Sequence, residues 1–212
     1  MSADDGIEAI AGVAHRPQGD PAGVVVLTHG AGGDRDSPLL VALCDTWAGR
    51  GWLAIRYHLP YRRRRPKGPP SGSAAADQAG IAEAIALAHT LSPGPVVAGG
   101  HSYGGRMTSM VAAGPDHPDL SALSLFSYPL HPPGKPERAR TEHLPDITVP
   151  TVFTHGTKDP FGSIEELRAA AALVSAPTEI VEVTGAGHAL LSKTVDPPSL
   201  AVAATLRLAG SP

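Results

Sequence analysis

The sequence predicts an α/β fold with a mainly parallel sheet and helices on both faces. Short apolar runs alternate with longer stretches of helical periodicity. The short runs are almost continuously apolar, as strands covered on both faces are. The chain of 212 residues also carries 24 glycines and 22 prolines, enough for many tight loops between such elements.

Taken in order, the strands are expected at 23–29 (GVVVLTH), 52–58 (WLAIRYH), 95–100 (PVVAGG), 120–128 (LSALSLFSY), 151–156 (TVFTHG) and 178–183 (TEIVEV). Five helices fall between or after them. In 37–49, Leu39, Leu43 and Trp47 recur every four residues, and Cys44 shares the apolar stripe of Leu40 and Trp47. In 74–90, Ile81, Ile85 and Ala88 form an apolar face. Residues 103–113 follow a serine turn. In 163–175, Ser163 and Glu166 have capping-box spacing ahead of Ile164, Leu167 and Val174. In 197–208, Asp196 can cap the helix and Pro197 suits its first position. Two biased stretches, 61–76 and 131–140, read as surface loops. The four arginines 62–65 in the first are expected to splay into water, because adjacent guanidinium groups repel. No repeat interrupts the alternation, so residues 1–212 are expected to form a single domain.

Composition narrows the function. A net charge of −3 offers no broad attraction to nucleic acid or to an anionic membrane. No apolar run is long enough to span a bilayer. The acidic start, MSADDGIEAIAG, lacks the basic region of a signal peptide, and the single Cys44 fits a reducing compartment; a cytoplasmic protein is expected. No His or Cys pair has metal-ligand spacing, and the glycines at 30–33 lack the phosphate-loop lysine, so neither a metal nor a cofactor is expected. The composition leaves the oligomeric state open.

The chemistry concentrates at Gly100-His101-Ser102-Tyr103-Gly104, a G-x-S-x-G between an expected strand and an expected helix. A turn that sharp strains the serine backbone and tolerates only tiny neighbours on either side. It would raise the Ser102 hydroxyl above the carboxyl edge of the sheet. A serine hydroxyl needs a base to attack a carbonyl. His188 follows the last strand behind Gly185, Ala186 and Gly187. Asp159 follows the strand before it, although Lys-Asp-Pro is also the composition of an ordinary turn. The order Ser102, Asp159, His188 is that of nucleophile, acid and base in one class of hydrolase. Backbone N–H groups of Tyr103 and Ala31, with Gly32 as the alternative to Ala31, are placed to receive an oxyanion. Gly32, Tyr61 and His131 are candidates for pocket walls. His29, His155 and His101 read as structural, the last pointing away beneath the turn.

The blocks HGAGGDRDSPLL (29–40), YHLPYRRRRPKGPP (57–70), GGHSYGGRM (99–107), SYPLHPPGKPERARTEHLPDITVPTVFTHGTKDPFG (127–162) and GAGHAL (185–190) carry a resemblance. Over roughly residues 20 to 195 the chain resembles a capless α/β-hydrolase of the dienelactone-hydrolase-like type. More narrowly, it resembles the branch named after testis-expressed protein 30. The resemblance implies an α/β-hydrolase fold without a large cap and places nucleophile, acid and base at Ser102, Asp159 and His188. Dienelactone hydrolases use a cysteine where this chain has Ser102, so the resemblance implies no dienelactone substrate. Together these readings point to a serine hydrolase of small esters or thioesters. The alternative is a binding or scaffold protein on the same fold, since the branch also includes members known as scaffolds.

Overall fold

The computed structural model describes residues 3–70 and 74–210. Residues 71–73 of the biased stretch 61–76 therefore lie outside the described residues. Seven strands form one sheet: β1 (Gly12–His15), β2 (Val24–Thr28), β3 (Leu53–Tyr57), β4 (Val96–His101), β5 (Ala122–Phe126), β6 (Thr151–Gly156) and β7 (Thr178–Val183). Their order is β1-β3-β2-β4-β5-β6-β7. Every neighbouring pair is parallel except β1 with β3. The six parallel strands are the six apolar runs. β1 was not foreseen; all four of its residues are only half-buried, so it lacks a run's apolar signature.

Among the described residues, seven α-helices surround the sheet: α1 (Ala3–Ala9), α2 (Pro38–Gly49), α3 (Pro60–Arg64), α4 (Ala74–Leu91), α5 (Tyr103–Ala112), α6 (Ile164–Ala171) and α7 (Pro197–Leu208). Alternation along each strand divides the core in two. Val24, Val26, Ile55, Ala98 and Leu123 meet Ile81 and Ile85 of α4, Met107 of α5 and Leu167 of α6. Val25, Leu27, Ala54 and Val97 meet Leu43, Cys44 and Trp47 of α2 and Ala201 and Val202 of α7. Each fully buried aliphatic side chain contributes roughly 1.5–3 kcal/mol relative to exposure. Cys44 is fully buried, and that burial pushes its thiol up to about 12. No helix among the described residues is long and apolar enough to cross a membrane.

Local chemistry sets the helix ends. Ser163 Oγ accepts from Glu166 N at 3.2 Å, while Glu166 Oε2 accepts from Ser163 N at 2.8 Å, closing the capping box of α6. Asp196 caps α7, with Pro197 at its first position.

The arginine run departs from expectation. Residues 60–64 form a short helix, and Arg62 is 4% exposed. Its guanidinium fork finds three carbonyls: Nε donates to Gly33 O at 3.0 Å, Nη2 to Ala31 O at 3.2 Å and Nη1 to Arg65 O at 3.4 Å. Arg63 donates to Ala9 O at 3.0 Å and lies 3.6 Å from Glu83. Repulsion forbids burying all four charges together, but a single arginine with fixed acceptors can be buried. The stretch is thus a braced element at the carboxyl edge of β3, and among its described residues only 65–70 resemble a solvated loop.

Candidate active site

Strands β2, β4, β6 and β7 deliver four segments to one edge of the sheet, around a cavity of about 390 Å³ lined by Gly30 to Gly33, Ser37, His101, Ser102, Phe161 and His188. Ser102 sits between β4 and α5 with φ 51° and ψ −117°, a left-handed backbone that a side chain rarely adopts. Packing holds it there. A Cβ on Gly100 would lie 2.7 Å from Thr28 O, and one on Gly104 2.5 Å from His29 O. One on Gly105 would lie 2.4 Å from Gly100 O. Only hydrogen fits at these positions, so the chain can fold back sharply enough to expose the hydroxyl.

Ser102 Oγ lies 2.8 Å from His188 Nε2, as donor to that nitrogen. His188 Nδ1 donates to Asp159 Oδ2 at 2.8 Å. Asp159 Oδ1 accepts from Phe161 N at 2.9 Å, and His155 Nε2 lies 3.8 Å from Oδ2. Burial alone would raise the Asp159 carboxyl; the bonds from His188 and Phe161 and the nearby imidazoles hold it below the usual range. The turns after β6 and β7 are tied together: Lys158 N donates to Ala186 O at 2.8 Å and Gly185 N to Thr157 Oγ1 at 2.8 Å. They approach so closely that a Cβ on Gly156 would lie 2.4 Å from Ala186 O.

Two rings fix the imidazole of His188. Phe161 lies over it with centroids 4.3 Å apart. His101 does not point away as expected: it lines the cavity, and its Nε2 donates to His188 O at 2.8 Å. Burial lowers the His101 imidazole. His29 and His155 do hold loop carbonyls, those of Gly30 and Gly162 at 2.9 Å each.

The segment after β2 is pinned from behind. Gly30 O is met by His29 Nδ1 at 2.9 Å, Gly33 N at 3.1 Å and the Tyr61 hydroxyl at 3.1 Å. Ala31 O is met by Tyr61 at 2.9 Å and by Arg62. A trans peptide points its N–H opposite its C=O. The Ala31 and Gly32 N–H groups therefore face away from Tyr61 and Arg62. Among the described residues, neither Ala31 N–H nor Tyr103 N–H has a partner within the chain.

Asp77, on α4, links the two sides. It is 2% exposed; one oxygen accepts from Tyr61 N at 2.9 Å and the other from the Tyr103 hydroxyl at 2.8 Å. Burial, then this bond to a carboxylate, pushes the Tyr103 phenol up. Sequence reasoning missed Asp77, Arg62 and Phe161. For Asp77 a signal existed: it lies four residues before Ile81, on the apolar face of α4, and a carboxylate there needs buried donors.

Of the suggested pocket residues, Gly32 lines the cavity. Tyr61 stands behind the loop and does not. His131 lines a separate hollow of about 250 Å³ with Leu130, Pro136 and Glu166, and its Nε2 is 3.4 Å from Glu166 Oε2.

The sequence profile described as an alpha/beta hydrolase domain matches residues 21–201. Similar folds occur in ferulic-acid-bound Est1E from Butyrivibrio proteoclasticus (18% identity, 92% of each chain covered, TM-score 0.72). A dienelactone hydrolase from Anabaena variabilis is similar at 21% identity, covering 92% of this chain and 88% of that one, with a TM-score of 0.68. Esterase 2 of Thermogutta terrifontis, phosphonylated by cyclosarin, is similar at 22% identity, covering 93% and 86%, with a TM-score of 0.61. At these identities the likeness is one of fold. With most of its length matched by the family profile, the chain belongs to the alpha/beta hydrolase family.

Proposed function

We propose that this protein is a serine hydrolase of small carboxylic esters or thioesters, with Ser102 as nucleophile, His188 as base and Asp159 as its orienting acid. The observation that carries this is the unbroken Ser102–His188–Asp159 chain, 2.8 Å at each step, on a strained serine turn beside a cavity.

Ser102 Oγ attacks the carbonyl carbon as its proton passes to His188 Nε2. Asp159 holds the Nδ1–H tautomer and stabilises the imidazolium that forms. The carbonyl oxygen becomes an oxyanion and takes hydrogen bonds from Tyr103 N–H and Ala31 N–H, close to the N-terminus of α5. His188 then returns the proton to the departing alcohol or thiol, leaving an acyl-serine. Water, deprotonated by His188, attacks that ester; collapse of the second tetrahedral intermediate frees the acid and returns the proton to Ser102. Apart from water, the proposed cycle uses only groups of the chain and calls for no cofactor. We further propose that residues 1–212 act as one domain, that the protein is cytoplasmic, and that the blocks it shares with the testis-expressed protein 30 branch place it there within the family.

A fluorophosphonate probe tests the nucleophile. Wild type is expected to gain one adduct on Ser102, and Ser102→Ala none, together with loss of activated-acetate hydrolysis. An unlabelled wild type, or hydrolysis intact in Ser102→Ala, would refute the assignment.

A further inference from the structure

A second cavity, of about 410 Å³, adjoins the first. The two share no lining residue but have two walls in common. Ser37 and His188 line the Ser102 cavity, while the next residues, Pro38 and Ala189, line the second. The second cavity thus lies next to the Ser102 cavity, between the N-terminus of α2 and the segment that joins His188 to α7.

Its lining is mostly apolar, including Leu39, Ala42, Leu190, Leu191 and Val195. Asp196 is its only charged residue, and that carboxylate is occupied, accepting from Ser199 N at 3.4 Å and from the Ser199 hydroxyl at 2.5 Å. Ser192 Oγ is engaged by Thr194 N and Val195 N at 3.3 Å each. No cationic side chain is among the residues that line the groove. Leu191 is 74% exposed and Val195 39%, although Leu190 between His188 and them is buried. Two exposed aliphatic side chains at the rim of an apolar groove, on the segment that follows His188, mark a place where an apolar group is covered.

We propose that this groove binds an uncharged alkyl or aryl group of the substrate, attached to the carbonyl that Ser102 attacks. The inference rests on Ser102 being the nucleophile. It makes the enzyme selective for esters carrying an apolar arm over acetyl esters of small alcohols, and over esters whose arm ends in a carboxylate. The arm belongs either to the acid or to the alcohol, and two substrate series separate them. One lengthens the acyl chain from acetate to octanoate on a fixed alcohol. The other lengthens the alcohol from ethyl to octyl on acetate.

In wild type, kcat/KM is expected to rise about fourfold per methylene over the first few carbons in one series, and to stay nearly level in the other. The rising series identifies the arm. On that side, an ω-carboxylate ester of equal length is expected to react at least about tenfold more slowly. Leu191→Asp and Val195→Asp, on exposed side chains outside the catalytic groups, are expected to abolish the rise while leaving ethyl acetate hydrolysis within about twofold. Level rates in both series, or a rise that survives both substitutions, would overturn the proposal. Ser102→Ala keeps the two readings apart. If it removes acetate hydrolysis while both series are level, the groove fails and the nucleophile stands; if it removes nothing, the nucleophile itself fails.

Discussion

One segment lines the Ser102 cavity and another lines the cavity next to it, and they are built differently. Residues 30–37 are held from behind by the side chains of Tyr61, Arg62, Arg56 and His29, which take backbone carbonyls. Residues 189–195 make only local hydrogen bonds, Leu190 N to Gly187 O and a few to Ser192, and they expose Leu191 and Val195. The difference follows what each would do. Donors for an oxyanion help only if they are already aimed before charge develops, so their loop must not relax. A surface that covers an apolar arm needs area and no fixed geometry.

The sharpest way to break this contrast is at Arg62. Its guanidinium spans the carbonyls of Ala31, Gly33 and Arg65, and truncation takes the side-chain donor from Gly33 O and leaves Ala31 O to Tyr61 alone. Arg62→Ala is expected to lower kcat about a hundredfold, roughly 2.7 kcal/mol of barrier, with KM changed less than threefold. Arg62→Lys should not rescue it, because an ammonium cannot bridge three separated carbonyls. Steady-state kinetics on a short ester decides; a lysine variant at full rate would show that charge, not the fork, matters.

Next in size is a pH effect on stability. Burial pushes His29 down to about 4, against the opposing pull of its bond to Gly30. An unfolded histidine takes its proton near pH 6.5. Between pH 6.5 and 4 the unfolded chain therefore binds more protons than the folded one. The contribution of His29 is full above pH 6.5 and is lost as pH falls toward 4, at up to about 1.4 kcal/mol per unit. Urea unfolding at pH 7.5 and 5.0 is expected to show wild type losing stability on acidification and His29→Gln losing about 1–2 kcal/mol less. Some slope will remain, since His143 is also pushed down to about 4 by burial and by Arg106. Equal slopes in the two proteins would refute the assignment.

Much of this was legible in the sequence, and what was not has physical causes. Near-continuous apolar runs mark strands buried on both faces, so β2 to β7 were visible; β1, half-buried throughout, was not. Ser102, Asp159 and His188 could be named because such chemistry needs particular residue types just after strands, and the structure brings the three side chains together. The bracing groups carry no such mark. Arg62 looks like its three neighbours until the carbonyls of a loop some thirty residues away are in place. His101 is adjacent to Ser102, yet its partner is 87 positions along the chain.

Asp77 sharpens the comparison from its other end. Because it joins Tyr61 N to the Tyr103 hydroxyl, it keeps the braced loop in register with the Tyr103 N–H. Asp77→Ala is expected to reduce kcat about tenfold, roughly 1.4 kcal/mol, with KM nearly constant. Asp77→Asn should recover most of the rate, since its amide oxygen still accepts from Tyr61 N and its NH2 can donate to the Tyr103 oxygen. A purely structural role predicts instead that thermal stability falls in step with rate. Melting curves beside the kinetics separate the two.

The smallest effect is expected on the opposite side, where the contrast predicts tolerance. Leu191 is 74% exposed, and its segment is linked to the rest of the chain by no side-chain hydrogen bond among the described residues. Leu191→Ser should leave unfolding free energy within about 0.5 kcal/mol of wild type, and the rate on an acetyl ester unchanged. The equally conservative Tyr61→Phe, on the braced side, removes one hydroxyl that meets Gly30 O and Ala31 O and should cost about 1 kcal/mol of stability. Denaturation of the two variants in parallel tests the asymmetry directly. If Leu191→Ser is the more damaging, the 189–195 segment is a structural wall, and the rigid-against-permissive division of the site is wrong.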